Sequence, residues 1–277
     1  MSFKIECECP ICEGNEKKEL RSFAIGYIEE GKDVLSMTCN SGHTFEAILS
    51  VPKFAFMYEN GLTAFNAGFY FEAFSCFYSS LELFRMDFIK AYFCEINFHE
   101  IKLVEDQLKY IKYSERIYGI YMMCYGLYFK DRADAKDKKN SNKKYIDDDD
   151  KKLRNNVYHA GKIITKKECA DMGYRIYDYI RTIYQDFKEI PSSPEDDPAL
   201  LFPAIWIFNA SKVRLLQEKY PSALVISSDV YTSLSLNTDF SDDNLPSFDD
   251  LLAINNRLNK RKDITELIVN SEYFREQ

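Results

Sequence analysis

The pattern of cysteine and histidine in the first 50 residues constrains the fold of this chain more than any other feature. Cys9 and Cys12 are separated by two residues, Cys39 and His43 by three, and 26 residues lie between the pairs. A two-residue gap lets one tight turn direct both sulfurs at a single ion, and Gly42 can adopt the positive φ that the second turn needs. Paired ligands at both ends of such a unit predict a tetrahedral metal site.

The segment between the two ligand pairs is predicted to form a short hairpin, with β-prone runs at 20–28 and 33–38 joined through residues 29–32. Hairpin and ligand pairs together resemble a zinc ribbon over residues 1–50, with a Cys-x-x-x-His second knuckle in place of the usual Cys-x-x-Cys. Four protein ligands leave no open coordination position, so we expect a structural Zn²⁺ and no catalytic metal. The alternative is four unrelated residues, since Cys7 shows that cysteines also cluster here without ligand spacing.

Residues 53–190 have the periodicity of an all-α bundle. Apolar side chains recur every three or four residues from Met57 to Phe93, which predicts two long helices or one bent helix. Similar spacing predicts helix over residues 99–129 and from about 167 to 187. We interpret the aromatic stripe of the first stretch as core rather than as a cofactor site. Its members are Leu62, Phe65, Phe69, Ala73, Phe77, Leu81, Phe84, Phe88 and Tyr92.

Three prolines within residues 191–198 predict a linker between the bundle and the rest of the chain. Apolar runs around 204–216 and 249–258 predict two further helices, so residues 191–277 are expected to form a helical C-terminal extension. The predicted fold is therefore mostly α, with a small β zinc ribbon at the N-terminus.

Charge and composition narrow the classes of function. The 277 residues carry a net charge of −8, which argues against a protein that coats nucleic acid. Residues 130–167 are the exception, with 13 basic and 7 acidic residues, although mixed runs of this kind are often solvated loops. No apolar run approaches the ~18 residues of a membrane span, and the N-terminus lacks secretory features. We therefore expect a cytoplasmic protein without a membrane partner.

The motif that points to function is Arg154-Asn155-Asn156-Val157-Tyr158-His159-Ala160-Gly161. An arginine followed directly by asparagine and, after four residues, by histidine resembles the signature of the HEPN superfamily. The flanking segments 68–73 and 80–82 also resemble that superfamily, and the resemblance covers roughly residues 55–190. It implies a HEPN-like helical bundle with Arg154, Asn155 and His159 at the active site.

These three side chains suit RNA cleavage. On a helix, Asn155 and His159 lie on one face, so the amide is expected to orient the imidazole, and the long side chain of Arg154 can reach the same pocket. A guanidinium binds phosphate, and histidine transfers protons near neutral pH. Together they suit attack of a 2′-hydroxyl on its own phosphodiester, which demands no metal.

The resemblance further implies a homodimer, because in HEPN nucleases the motifs of two domains form one composite site. It implies an endoribonuclease that acts as an antiviral defence or toxin–antitoxin effector, restrained by an inhibitor or sensor protein. The alternative is a non-catalytic HEPN-like binding or regulatory module in which the zinc ribbon recognises a partner.

Overall fold

A small β-sheet and a larger group of helices make up the described part of the chain. The computed structural model describes residues 3–13, 22–29, 32–96, 101–111, 114–128, 148–188, 204–226, 234 and 246–270. Its mostly helical composition with an N-terminal sheet confirms the predicted class at this level. Residues 130–147 of the predicted basic segment and the predicted linker at 191–198 lie outside the described residues.

The sheet has five strands in sequential order. Four of them form an antiparallel meander, and the fifth, from the C-terminal part of the chain, pairs in parallel with the fourth. The strands are β1 (Phe3–Glu8), β2 (Phe23–Ile28), β3 (Leu35–Cys39), β4 (Thr44–Leu49) and β5 (Leu224–Ile226), and a short helix, α1 (Pro10–Glu13), follows β1. The predicted hairpin is confirmed as β2–β3, with Gly26 opposite Met37.

Eight further helices are described. They are α2 (Lys53–Asn66), α3 (Tyr70–Ile96), α4 (Ile101–Leu108), α5 (Ser114–Tyr128), α6 (Asp148–His159), α7 (Lys166–Lys188), α8 (Ala204–Lys219) and α9 (Phe248–Asn270). The long helix α3 is central, since it packs against α2, α4, α5, α7 and α8. None of the described helices has both the length and the apolar character needed to cross a bilayer.

The stretch from Met57 to Phe93 forms two helices rather than one bent helix. Gly68 has a φ of 83°, a left-handed conformation that ends α2 and starts the turn into α3. Most of the aromatic stripe is core, as predicted; Phe77, Phe84 and Phe88 are fully buried. Phe69 is the exception at 60% exposed, because it lies in the turn, where helical periodicity no longer determines which way a side chain points.

The predicted helix over residues 99–129 is also divided. Helix α4 ends at Leu108, and α5 begins at Ser114. Tyr110 lies between them and is 70% exposed. Both helices bury apolar residues against the core, including Val104 and Tyr121, which explains why the apolar spacing continues across the break.

The C-terminal part of the chain joins the sheet to the bundle. Besides strand β5, it supplies α9, which packs against α2 and against strands β1 and β2. On the sheet side, Arg261 and Thr265 of α9 both bond the buried carboxylate of Glu6. On the bundle side, the buried Asn255 amide donates to the Glu59 carboxylate at 2.8 Å. The helical extension predicted for this region therefore also contains a strand.

Candidate functional site

The four predicted metal ligands come together. The Nδ1 atom of His43 lies 3.9 Å from Sγ of Cys9, 3.2 Å from Sγ of Cys12 and 3.5 Å from Sγ of Cys39. All four ligand atoms lie within 4.8 Å of one another. In a tetrahedral zinc site the expected separations are about 3.6 Å between sulfur and nitrogen and about 3.8 Å between sulfurs. The cluster therefore has the dimensions to hold one metal ion.

Two tight turns position these ligands. Cys9 follows β1, and the amide of Cys12 in α1 donates to the Cys9 carbonyl at 3.1 Å. Cys39 ends β3, and the amide of Gly42 donates to its carbonyl at 3.0 Å. Gly42 has the predicted positive φ, 81°, and this turn places His43 beside the sulfurs.

The surroundings of the cysteines differ in polarity. All three are at least 94% buried, and burial raises the pKa of Cys9 to about 12. Burial also disfavours the thiolate of Cys12, but hydrogen bonds with Ser22, Ser41, Cys9 and His43 together outweigh it and lower the pKa of that thiol to about 6. The cluster thus combines a water-poor interior with donors that stabilise negative charge on sulfur, as a metal-binding thiolate requires.

The second candidate site lies at the C-terminal end of α6. Nη1 of Arg154 lies 3.0 Å from Oδ1 of Asn155 and 3.4 Å from Nε2 of His159. A guanidinium can only donate, and Nε2 of a neutral imidazole can accept in one of its two tautomers. Asn155 and His159 are exposed, and Arg154 is partly buried. The guanidinium thus links the amide to the imidazole at a surface that a ligand can reach.

The role predicted for Asn155, orientation of the His159 imidazole by its amide, stays a prediction. The Asn155 amide oxygen accepts a hydrogen bond from Arg154, and the contacts of the described residues include none between Asn155 and His159. The same guanidinium nitrogen contacts the imidazole five residues later along the helix. Arg154 thus contacts both Asn155 and His159.

Helix α3 and the last turn of α6 supply the surroundings of Arg154. The guanidinium carbon lies 5.5 Å from the ring centre of Tyr78 and 5.1 Å from that of Tyr158. Nη2 of Arg154 lies 3.9 Å from Oε1 of Glu82, close enough for an ion pair but too long for a hydrogen bond. The buried Arg154 Nε and Glu82 Oε1 have no hydrogen-bond partner among the described residues. Stacking and charge therefore hold the guanidinium without saturating its donors.

The sequence pattern signalled only part of these surroundings. Glu82 belongs to a segment that resembles the HEPN pattern, but its pairing with Arg154 was not predicted. Tyr78 was also missed, although it stands one helical turn before Glu82 on α3, at a spacing that puts both on one face.

The chain turns sharply after His159. Gly161 has a φ of 69°, and the amide of Lys162 donates to the carbonyl of Asn156 at 3.0 Å, which closes the end of α6. Thr165 and Glu168 then form a reciprocal capping box at the start of α7. The Lys162 ammonium, 2.6 Å from the carboxylate, and the Thr165 hydrogen bonds lower the pKa of Glu168 to about 2.

Part of the predicted basic segment is neutralised locally. Within its described residues, Lys152 pairs with Asp149 at 2.9 Å, and the buried Asp150 pairs with Arg175 of α7 at 2.5 Å. Arg154 and Lys162 are also paired, with Glu82 and Glu168. The basic character of this region is therefore weaker than the count of basic residues implies.

A groove of about 470 Å³ lies beside the end of α6. The turn from α2 to α3 forms one wall, and the connection from α6 to α7 forms the other. Its lining residues are Gly68, Phe69, Tyr70, Phe71, Glu72, Val157, Gly161, Lys162, Ile163 and Ile164.

Comparison of the chain with protein-family models, with curated proteins and with solved structures finds no match.

Proposed function

We propose that this chain is a metal-independent endoribonuclease of HEPN type, with Arg154, Asn155 and His159 as its catalytic residues. The observation that carries the proposal is the contact of the Arg154 guanidinium with both the Asn155 amide and the His159 imidazole at the exposed end of α6. An arginine beside an imidazole offers a phosphate donor and a proton-transfer group within one small volume.

The reaction that suits these groups is an internal transfer. A 2′-hydroxyl attacks the adjacent phosphorus, an imidazole takes its proton, and the new 2′-O–P bond forms as the bond from phosphorus to the 5′-oxygen breaks. The leaving 5′-oxygen then takes up a proton. Arg154 stabilises the negative charge that develops on the phosphate oxygens. The products are a 2′,3′-cyclic phosphate and a 5′-hydroxyl, so the reaction is specific to RNA.

A homodimer is part of this proposal. The chain carries the motif once, and HEPN nucleases combine the motifs of two domains in one site. Apolar side chains are available for an interface, since Met123 and Leu127 on α5 are more than half exposed. We expect sedimentation at micromolar concentration to show a dimer, and a strictly monomeric protein that cleaves RNA would contradict the shared site.

The cluster of Cys9, Cys12, Cys39 and His43 is proposed to hold one structural Zn²⁺. Three thiolates and one imidazole are ligands that zinc prefers, and they complete its tetrahedral coordination. The site links the turn after β1 to the turn after β3, so zinc would stabilise the sheet. None of its ligands belongs to α6, so zinc is expected to have no part in the chemistry.

Cleavage of total RNA and transfer RNA by purified protein tests the enzyme proposal. With chelator added for a short exposure, the unmodified chain should cleave RNA but not DNA, and the products should end in 2′,3′-cyclic phosphate. His159→Ala should cut the rate by roughly 100-fold or more. Comparable cleavage of DNA, or an unchanged rate in His159→Ala, would contradict the proposal.

A binding module is the second candidate function, and the surroundings of Arg154 favour it. The guanidinium is paired with Glu82 and lies over the rings of Tyr78 and Tyr158, as in an arginine that serves folding. In that case Arg154→Ala would destabilise the fold, and neither the unmodified chain nor any variant would cleave RNA.

A further inference from the structure

The groove beside α6 has an exposed aromatic wall. Phe69 is 60% exposed, Phe71 is 49% exposed, and Ile163 on the opposite wall is 89% exposed. Scattered apolar side chains are ordinary on a protein surface, but here three of them line one concavity. The groove therefore has the shape and the apolar surface to take up a flat, uncharged group.

This aromatic wall is continuous with the proposed catalytic site. The ring of Phe71 lies 6.2 Å from that of Tyr158, in an edge-to-face arrangement. The ring of Tyr158 in turn lies 5.1 Å from the guanidinium of Arg154. A single ring, that of Tyr158, therefore lies between the cationic guanidinium of Arg154 and the exposed ring of Phe71.

The charges of the groove and of the site differ. Within the groove the ammonium of Lys162 is paired with Glu168 at 2.6 Å, and Glu72 adds a negative charge to the lining. The groove itself thus offers an anion little attraction. Beyond the ring of Tyr158, Arg154 keeps its Nη1 directed at the exposed imidazole.

We propose that the groove binds a nucleobase of the RNA strand, next to the phosphate that Arg154 contacts. A nucleotide carries an anionic group and a flat aromatic group on one sugar, which matches a guanidinium followed by exposed phenyl rings. Bases stack on aromatic side chains with little regard to sequence, so the subsite should hold any of the four bases. This inference rests on the proposed function, because it places the base relative to the phosphate of that reaction.

The test compares two ligands on a protein that cannot cleave them. In a His159→Ala background, binding of a short fluorescent single-stranded oligoribonucleotide is measured beside that of the same ribose-phosphate backbone without bases. Phe71→Ala should weaken binding of the base-bearing strand roughly tenfold and leave binding of the abasic strand unchanged. Phe71→Trp should preserve binding. Tyr110→Ala removes an aromatic ring that is 70% exposed outside the groove, and it should change neither affinity.

The outcomes separate this inference from the proposed function. If the unmodified chain cleaves RNA but Phe71→Ala binds both strands normally, or loses both equally, the nucleobase subsite is wrong and the nuclease proposal stands. If Phe71→Ala instead converts dimers to monomers in sedimentation, the groove is an interface between two chains. If the unmodified chain neither binds nor cleaves RNA, both proposals fail.

Discussion

The side chain of Arg154 contacts several groups of the proposed site at once. Its guanidinium meets the amide of Asn155, the imidazole of His159 and the carboxylate of Glu82. A planar fork of donors makes these contacts, and the compact ammonium of lysine cannot reproduce them. The geometry thus distinguishes a requirement for arginine from a requirement for positive charge.

We therefore expect Arg154→Ala to lower RNA cleavage by roughly 100-fold or more, the equivalent of about 3 kcal/mol in transition-state stabilisation. Arg154→Lys should recover only part of that loss. Initial rates on a single RNA substrate measure both effects, with Arg257→Ala on the exposed surface of α9 as the control. Full activity in Arg154→Lys would mean that charge alone is sufficient.

Gly161 and Gly119 are a matched pair of positions that test the effect of backbone conformation on stability. A Cβ atom at either position would meet nothing within 4 Å, but Gly161 has a φ of 69° and Gly119 lies within α5. Gly161→Ala should cost about 1 kcal/mol of unfolding free energy, because an L-residue is strained in the left-handed region. Gly119→Ala should stabilise by about 0.5–1 kcal/mol. Urea unfolding measures both, and equal effects at the two sites would refute the conformational explanation.

At the scale of elements, the four ligands of the proposed zinc site lie in two turns, one after β1 and one after β3. Because ligand binding and folding are coupled, Cys39→Ala should reduce zinc from one equivalent per chain to less than half, with a lower melting temperature. Cys7 is the matched control, since it is a buried cysteine of β1 outside the cluster. Cys7→Ala should keep its zinc. Metal analysis of freshly purified protein decides this, and full zinc retention in Cys39→Ala would rule out the assigned ligand set.

The Glu168 carboxylate at the start of α7 should make the free energy of unfolding fall at acid pH. Its pKa is lowered to about 2 by Lys162 and Thr165, against about 4.3 in an unfolded chain. The stabilisation is therefore complete above about pH 4.3 and is lost as the pH falls through about 2. Solvent exposure limits it to about 1 kcal/mol or less. Unfolding at a series of pH values should show this extra loss in the unmodified chain and not in Glu168→Gln; parallel curves would contradict it.

At the scale of the whole molecule, Glu6 connects the sheet to α9. Its side chain is 1% exposed and bonds Arg261 and Thr265, which lie more than 250 residues further along the chain. Glu6→Ala should cost about 2–3 kcal/mol of unfolding free energy, less than a fully buried pair, because Arg261 is 40% exposed and can rehydrate. Glu46→Ala, on the exposed face of β4, should cost less than about 0.5 kcal/mol. Similar unfolding midpoints for the two variants would show that the contacts of Glu6 with α9 do not stabilise the fold.

Local spacing accounts for the features that could be predicted from the chain alone. The gaps between Cys9 and Cys12 and between Cys39 and His43 predicted which four residues come together. The three-to-four spacing predicted helix over the stretches that form α2, α3, α4, α5 and α7. Both signals arise within a few residues, where covalent geometry limits the directions of side chains. Phe69 shows where local spacing fails. Its periodicity predicts a core position, but it follows the turn at Gly68 and is exposed.

Contacts between distant segments depended on tertiary packing. The pairing of β5 with β4, the attachment of α9 to Glu6 and the placement of Glu82 and Tyr78 around Arg154 each join residues far apart in the chain. From an apolar face or a charged side chain, the chemical type of its partner can be predicted, but not which residue that partner is. Several faces of similar character compete for each partner, and the choice is made by how all the helices and strands pack at once, which no short window of sequence contains.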